Sequence, residues 1–111
     1  MIRSDLWAAA FVRRHNDIGN ICVIARKGDP IAGQIFIEID HLNGTVTLLT
    51  PAPASARDPD DADRVFVRQM ERAEPTAVRA RIAREADFDP DLWVIAIETR
   101  ADDVGARLAK L

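Results

Sequence analysis

One cysteine, two lysines, no tyrosine and only five glycines among 111 residues deny this chain the materials of several protein classes. Cys22 alone can form neither an intrachain disulfide nor a cysteine-based zinc site. None of the glycines builds a glycine-rich strand-to-helix turn, which excludes a Rossmann or P-loop nucleotide site. Aromatic residues make up 5% of the chain, too few to spare many for stacking bases on an exposed sheet. Long apolar runs are missing as well. The longest near the N-terminus, Leu6 to Val12, is preceded by Asp5 and followed by Arg13-Arg14, the reverse of a secretory signal. No run approaches the roughly 18 residues of a membrane span. Nor does one sign of charge dominate: 15 basic residues face 18 acidic ones, for a net charge of −3. That balance supplies no global field for nucleic acid or anionic lipid.

What is present is ordinary globular material, 48% apolar and 30% charged. It predicts a single domain over residues 1–111, able to bury about 65% of its unfolded surface without disulfides or metals. A cytoplasmic bacterial protein is the expectation. Richness in Ala, Arg and Asp over Lys matches a GC-rich genome.

Ser4 is placed as the N-cap of a first helix, with Leu6, Trp7, Ala10 and Phe11 on one stripe and Arg13, Arg14 and His15 at its cationic end. Ile21–Arg26 reads as a strand covered on both faces. Gly33–Asp40 alternates, with Ile35, Ile37 and Ile39 opposed to Gln34, Phe36 and Glu38. Asn43-Gly44 predicts a tight hairpin returning through Thr45–Thr50. Residues 51–63, rich in Pro and Asp, read as an exposed acidic loop. They hold four of the acids and one base, so the rest of the chain is neutral. Arg64–Gln69 fits a strand, although Phe66 and Met70 also satisfy a helical pair. A helix beginning near Pro75 and a buried strand over Leu92–Thr99 follow. Residues 101–111 read as a short helix or a mobile tail. The expected fold class is α+β, an antiparallel sheet of four to five strands with helices packed on one face.

Leu6-Trp7 with Ala10 and Arg13-Arg14, Arg26-Lys27-Gly28-Asp29 with Ala32-Gly33, Leu42-Asn43-Gly44, Pro51 and the run Phe88-Asp89-Pro90-Asp91-Leu92-Trp93-Val94 together resemble a known but uncharacterised family. It comprises short alphaproteobacterial proteins grouped as domain of unknown function 1491. The resemblance extends to about Arg100. It implies a single-domain bacterial cytoplasmic protein and brings no activity, cofactor or catalytic residue.

Several constellations invite chemistry. Asp87-x-Asp89-x-Asp91 with Glu98 in the twelfth position counts like a calcium loop, yet Leu92 stands where the loop needs glycine and a strand carries Glu98 away. Asp58, Asp60, Asp61 and Asp63 form a solvated charge run. Cys22 with His15 or His41 supplies the pieces of a nucleophilic dyad, but a thiol inside an apolar strand packs as a small hydrophobe. Arg79, Arg81 and Arg84 are the densest basic stretch and suit phosphate contact, although Arg81 and Glu85 also make an i, i+4 pair. Trp7 and Trp93 are either core plugs or interface anchors, according to their exposure.

The chemistry leads to a binding or interaction module without catalysis, cofactor or metal. Its partner is an unidentified protein or a second copy of itself, and its candidate contacts are Trp7, Arg13, Arg14, Arg26 and Trp93. The alternative is binding of nucleic acid or a nucleotide phosphate through arginines converging from positions 13, 14, 26, 79, 81 and 84. A deep pocket lined by Asp91, His41 or Glu38 is the observation that brings an enzyme back into consideration.

Overall fold

Residues 4–17 place Ala8, Phe11 and His15 at helical spacing, so the segment can bury one stripe while its arginines stay in water. In the computed structural model, which describes residues 2–57 and 63–109, this is α1 (Ser4–Asp17). Three strands follow: β1 (Ile21–Arg26), β2 (Ile35–Asp40) and β3 (Val46–Pro51). The segment 64–69, open to two readings, is a strand, β4 (Val65–Ala73). Then come α2 (Pro75–Phe88), β5 (Trp93–Glu98) and the two-residue β6 (Arg107–Leu108).

The sheet is mixed and six-stranded, in the order β1-β5-β2-β3-β4-β6. This corrects the antiparallel sheet of four to five strands. β1–β5, β2–β3 and β3–β4 are antiparallel, whereas β2–β5 and β4–β6 are parallel. The physical reason is the α2 crossover. A helix between two strands has the reach to return the chain alongside an earlier strand in the same direction. β5 uses it to enter between β1 and β2.

The helices also lie on opposite faces of the sheet, not on one. Ala8 and Phe11 of α1 pack with Ile35, Ile37, Ile39, Leu49, Ile95 and Ile97. Val78 of α2 packs with Phe36, Val46, Leu48 and Val94 on the other side. The central strands carry apolar residues at both alternations, and both faces therefore need cover. A buried aliphatic side chain contributes about 1.5–3 kcal/mol, which makes these two layers the main stabilising term.

Local expectations fail where tertiary partners intervene. β1 is covered on one face only, and Ile21 and Val23 are 62% and 51% exposed at the sheet edge. Ser4 does not cap α1. Its hydroxyl donates to the Gly33 carbonyl at 2.6 Å and accepts from Arg64 Nη2 at 2.9 Å. The hairpin is wider than an Asn-Gly turn: the left-handed residues are Leu42 (φ 61°) and Gly44 (φ 88°), and His41 N–H donates to Thr45 O. Pro51 closes β3 and Ala52 is buried, so residues 51–63 are not wholly an exposed loop. Residues 58–62 lie outside the described residues. In the tail, β6 stands where a helix or mobile end is expected.

The motif residues between 26 and 33 and between 88 and 94 join in one architectural clamp. Asp29 N–H donates to Asp91 O at 3.0 Å, and Trp93 Nε1 donates to Asp29 O at 2.7 Å. Asp29 Oδ2 accepts the amides of Ile31 and Ala32. Gly28 lies so close to the second segment that a Cβ there would meet Asp91 O at 1.9 Å. Asp89 and Asp91 form the expected Asx turn, with Asp91 N–H on Asp89 Oδ1 at 3.0 Å.

Candidate functional site

Residues 99–106 leave β5, one strand in from the β1 edge, and rejoin the sheet at β6, beyond β4. They must therefore pass over β2, β3 and β4, and they do so on the α1 side, where Val104 enters the core. The crossing segment is a strap held at several points. Thr99 N–H donates to Asp40 O at 3.0 Å and Ala101 N–H to Thr99 Oγ1 at 3.1 Å. Asp103 Oδ1 accepts Gly105 N–H at 2.8 Å. His15 Nε2 lies 2.7 Å from Val104 O, and since a carbonyl only accepts, the imidazole donates there. Asn20 Nδ2 donates to His15 Nδ1 at 3.1 Å. His15 is thus a buried tie between α1 and the strap, not a solvent-facing helix end.

Beneath the strap lies a pocket of about 580 Å³. Ile39, Leu49, Val104 and Leu108 supply its apolar surface, and His41, Thr47, Arg68, Glu71, Arg72, Asp102 and Asp103 its polar one. Two irregularities of β4 shape it. Leu49 faces Arg68, but Leu48 faces Met70 and Val46 faces Ala73, so β4 carries two more residues than β3 over this span. Bulges of this kind re-aim side chains. In a regular strand Glu71 would point away from Arg68 and Arg72; here all three line the pocket. The second irregularity is Arg72 itself, at φ 47°, a left-handed backbone unusual for a side chain of that size. This strained turn sends its N–H to Thr47 Oγ1 at 3.1 Å and its guanidinium to Asp102.

His41 is buried, with Nε2 at 2.7 Å from Thr47 Oγ1. Because Oγ1 already accepts the Arg72 amide, the hydroxyl proton is best used on Nε2. Nδ1 is buried with no partner among the described residues. Burial first, and then the Arg72 charge, hold the imidazole below its ordinary range, while Asp102 and Asp40 pull the other way.

The candidates from sequence fall elsewhere. Trp93 is buried in the clamp. Trp7 is half-buried, stacked 5.2 Å from Phe11, with Nε1 on Asp63 Oδ1 at 3.1 Å. Arg13 and Arg14 are exposed on α1, and Arg14 lies 5.5 Å from the centre of the Phe11 ring. Arg26, at the end of β1, donates to Lys27 O at 3.2 Å. Arg79 and Arg84 are exposed on α2, where Arg81 pairs with Glu85 at 2.8 Å. With α1 and α2 on opposite faces, the arginines do not share one surface.

The dyad is likewise dissolved. Cys22 is buried against α1, and burial pushes its thiol up to about 11, away from the reactive thiolate. Among the described residues no group of three or more His, Cys, Asp or Glu is arranged to hold a metal ion. Of the acidic run, Asp58, Asp60 and Asp61 lie outside the described residues. No helix among the described residues is long and apolar enough to cross a membrane. The sequence reading missed Arg68, Glu71, Asp102 and Asp103. For Arg68 and Glu71 the only signal was the strand-like Val65 and Val67 followed by charges too irregular for either period, and Asp102 and Asp103 sit in the tail segment with none.

Two helices flanking a six-stranded mixed sheet, with a strapped pocket on one face, define a small three-layer single-domain α+β protein. The family model described as protein of unknown function (DUF1491) matches residues 2–105, and the chain belongs to that family. Solved relatives share the fold. A crystal structure of a DUF1491 protein from Caulobacter crescentus CB15 is 28% identical with a TM-score of 0.79, covering 98% of each chain. Protein Atu0922 from A. tumefaciens, solved in solution, is 33% identical with a TM-score of 0.79 over 95% of this chain and 90% of that one. An NMR structure of a Caulobacter family member is 29% identical with a TM-score of 0.78, covering 98% and 97%. Both sources are alphaproteobacteria. No curated protein matches this chain.

Proposed function

We propose that the protein is a small binding module whose ligand occupies the pocket between the strap and strands β2–β4. One observation carries this reading: a space of about 580 Å³ with an apolar floor and a convergent charged rim. Ligand sites typically span ~300–1,000 Å³ and combine these two features. The left-handed Arg72 supports it, since backbone strain of this kind gathers at functional positions.

His41 lines the pocket and is the feature that favours an enzyme instead. Its chemistry points the other way. A general base must offer a nitrogen within hydrogen-bond reach of substrate. Nε2 is engaged by Thr47 and Nδ1 is buried, so neither is presented to a ligand. Binding without turnover is therefore the better reading. The separation of the arginines between two faces weighs against a nucleic-acid surface. Self-association remains part of the reading, with the exposed Ile21 and Val23 on the β1 edge as its surface. The proposed setting is the cytoplasm.

Amide chemical shifts followed by ¹⁵N NMR during a small-fragment screen test the proposal. Hits should move the amides of Ile39, Thr47, Arg68, Val104 and Leu108 together. Hits that collect on β1 or α2 and leave these amides still would overturn it.

A further inference from the structure

The pocket rim carries opposite charges that do not neutralise each other. Arg72 is taken by Asp102, and Asp103 accepts the Gly105 amide of its own turn. Arg68 and Glu71 remain, both exposed and neither in an ion pair among the described residues. The β4 bulges bring them to the same face, one cation and one anion at the mouth of an apolar floor formed by Ile39 and Leu49. Both line the pocket, and they form no salt bridge with each other. A ligand of one charge would meet repulsion from one of the two. A ligand with both charges and an apolar body can set each charge against its opposite and cover the floor.

Resting on the binding reading above, we propose that the pocket takes a small amphipathic zwitterion of the apolar amino-acid class. Arg68 receives its carboxylate, Glu71 its ammonium group, and Ile39 and Leu49 its aliphatic side chain. The planar guanidinium suits a carboxylate, which it can engage through two parallel N–H donors. Each charge-assisted contact adds selectivity over an analogue that lacks the matching group.

Titration of ¹⁵N-labelled protein with L-leucine, 4-methylpentanoate and 3-methylbutylamine separates the two charges while keeping the apolar body. Leucine should shift the amides of Leu49, Arg68 and Glu71 saturably. The acid and the amine should each bind at least about tenfold more weakly. In Glu71→Gln, leucine should fall to the level of the acid, while the acid itself, relieved of the Glu71 charge, should bind no more weakly than it does to the wild type. Arg68→Gln should do the same with respect to the amine. Equal binding of leucine and the acid would overturn the zwitterion and leave a binding pocket in place. Leucine without effect at these amides would also overturn it, and the fragment screen then decides whether the pocket binds at all.

Discussion

His41 Nε2 and Thr47 Oγ1 stand 2.7 Å apart across the β2–β3 hairpin, and the same hydroxyl oxygen accepts the amide of Arg72 from β4. One threonine therefore ties three strands at the end of the pocket. It also fixes the imidazole in a place where a second proton is unwelcome, because burial and Arg72 both oppose it.

The sign of the resulting pH dependence follows. The unfolded chain protonates His41 near the ordinary value of 6.5, and the folded chain only at a lower pH. Between those two values the unfolded state binds more protons, so stability falls as pH drops below about 6.5 and levels off beneath the folded value. Glu38 opposes this in acid. Burial raises its carboxyl above 4.5, so its protonation favours the fold as pH falls. Urea midpoints measured from about pH 7.5 down to about pH 5 should decline more steeply in the wild type than in His41→Gln. Parallel profiles for the two proteins would refute the assignment to His41.

Arg72 offers a separation of backbone from side chain. At φ 47° any residue with a Cβ is strained, whereas glycine is not. Its ion pair with Asp102 is largely exposed, with 47% and 76% of the two side chains accessible, and contributes about 0–1 kcal/mol. Arg72→Gly should thus be more stable than Arg72→Ala by about 1 kcal/mol in urea denaturation. An alanine variant as stable as the glycine variant would show that the backbone strain is absent.

Two glycines distinguish close approach from conformation. A Cβ at Gly28 would collide with the Asp91 carbonyl at 1.9 Å, whereas at Gly19, φ +91°, it meets nothing within 4 Å. Gly19→Ala should lose about 1 kcal/mol from φ alone. Gly28→Ala must displace one clamp segment from the other and should lose about 3 kcal/mol or more. Chemical denaturation monitored through the fluorescence of Trp7 and Trp93 reads both, and similar losses would refute the clamp.

The elements of this fold were largely legible in the sequence, because Ile35, Ile37 and Ile39 alternate and Trp7 and Phe11 recur at helical spacing, although the buried stripe of α1 runs through Ala8, Phe11 and His15 and leaves Leu6 and Ala10 exposed. Their arrangement was not. Phe36 alone hinted that β2 is covered on its second face, and nothing local says that β5 will enter beside β2. The pocket was hidden for a related reason. Its rim depends on two bulges in β4, and a bulge moves a side chain to the other face without changing the composition of the strand. Arg68, Glu71 and Arg72 therefore read as scattered surface charges. The motif Phe88 to Val94, specific enough to suggest a family, belongs instead to the clamp, where Asp29, Gly28 and Trp93 hold two loops together. Its specificity reflects close packing of backbone on backbone.

The place of β5 in the sheet has a consequence for synthesis. β1 has no hydrogen-bonded neighbour except β5, and β2 has β3 alone until residues 93–98 arrive. While the ribosome is still extending the chain toward those residues, β1 has no strand to join, and α1 can meet only the β2–β3 part of the sheet. The layer that covers one face is therefore incomplete until a late segment arrives, and the apolar surface that Ile95 and Ile97 cover stays open to water or to chaperones until then. Contacts of such long sequence separation also slow the search itself. The β1 edge of the sheet consequently cannot be completed before translation has passed Glu98.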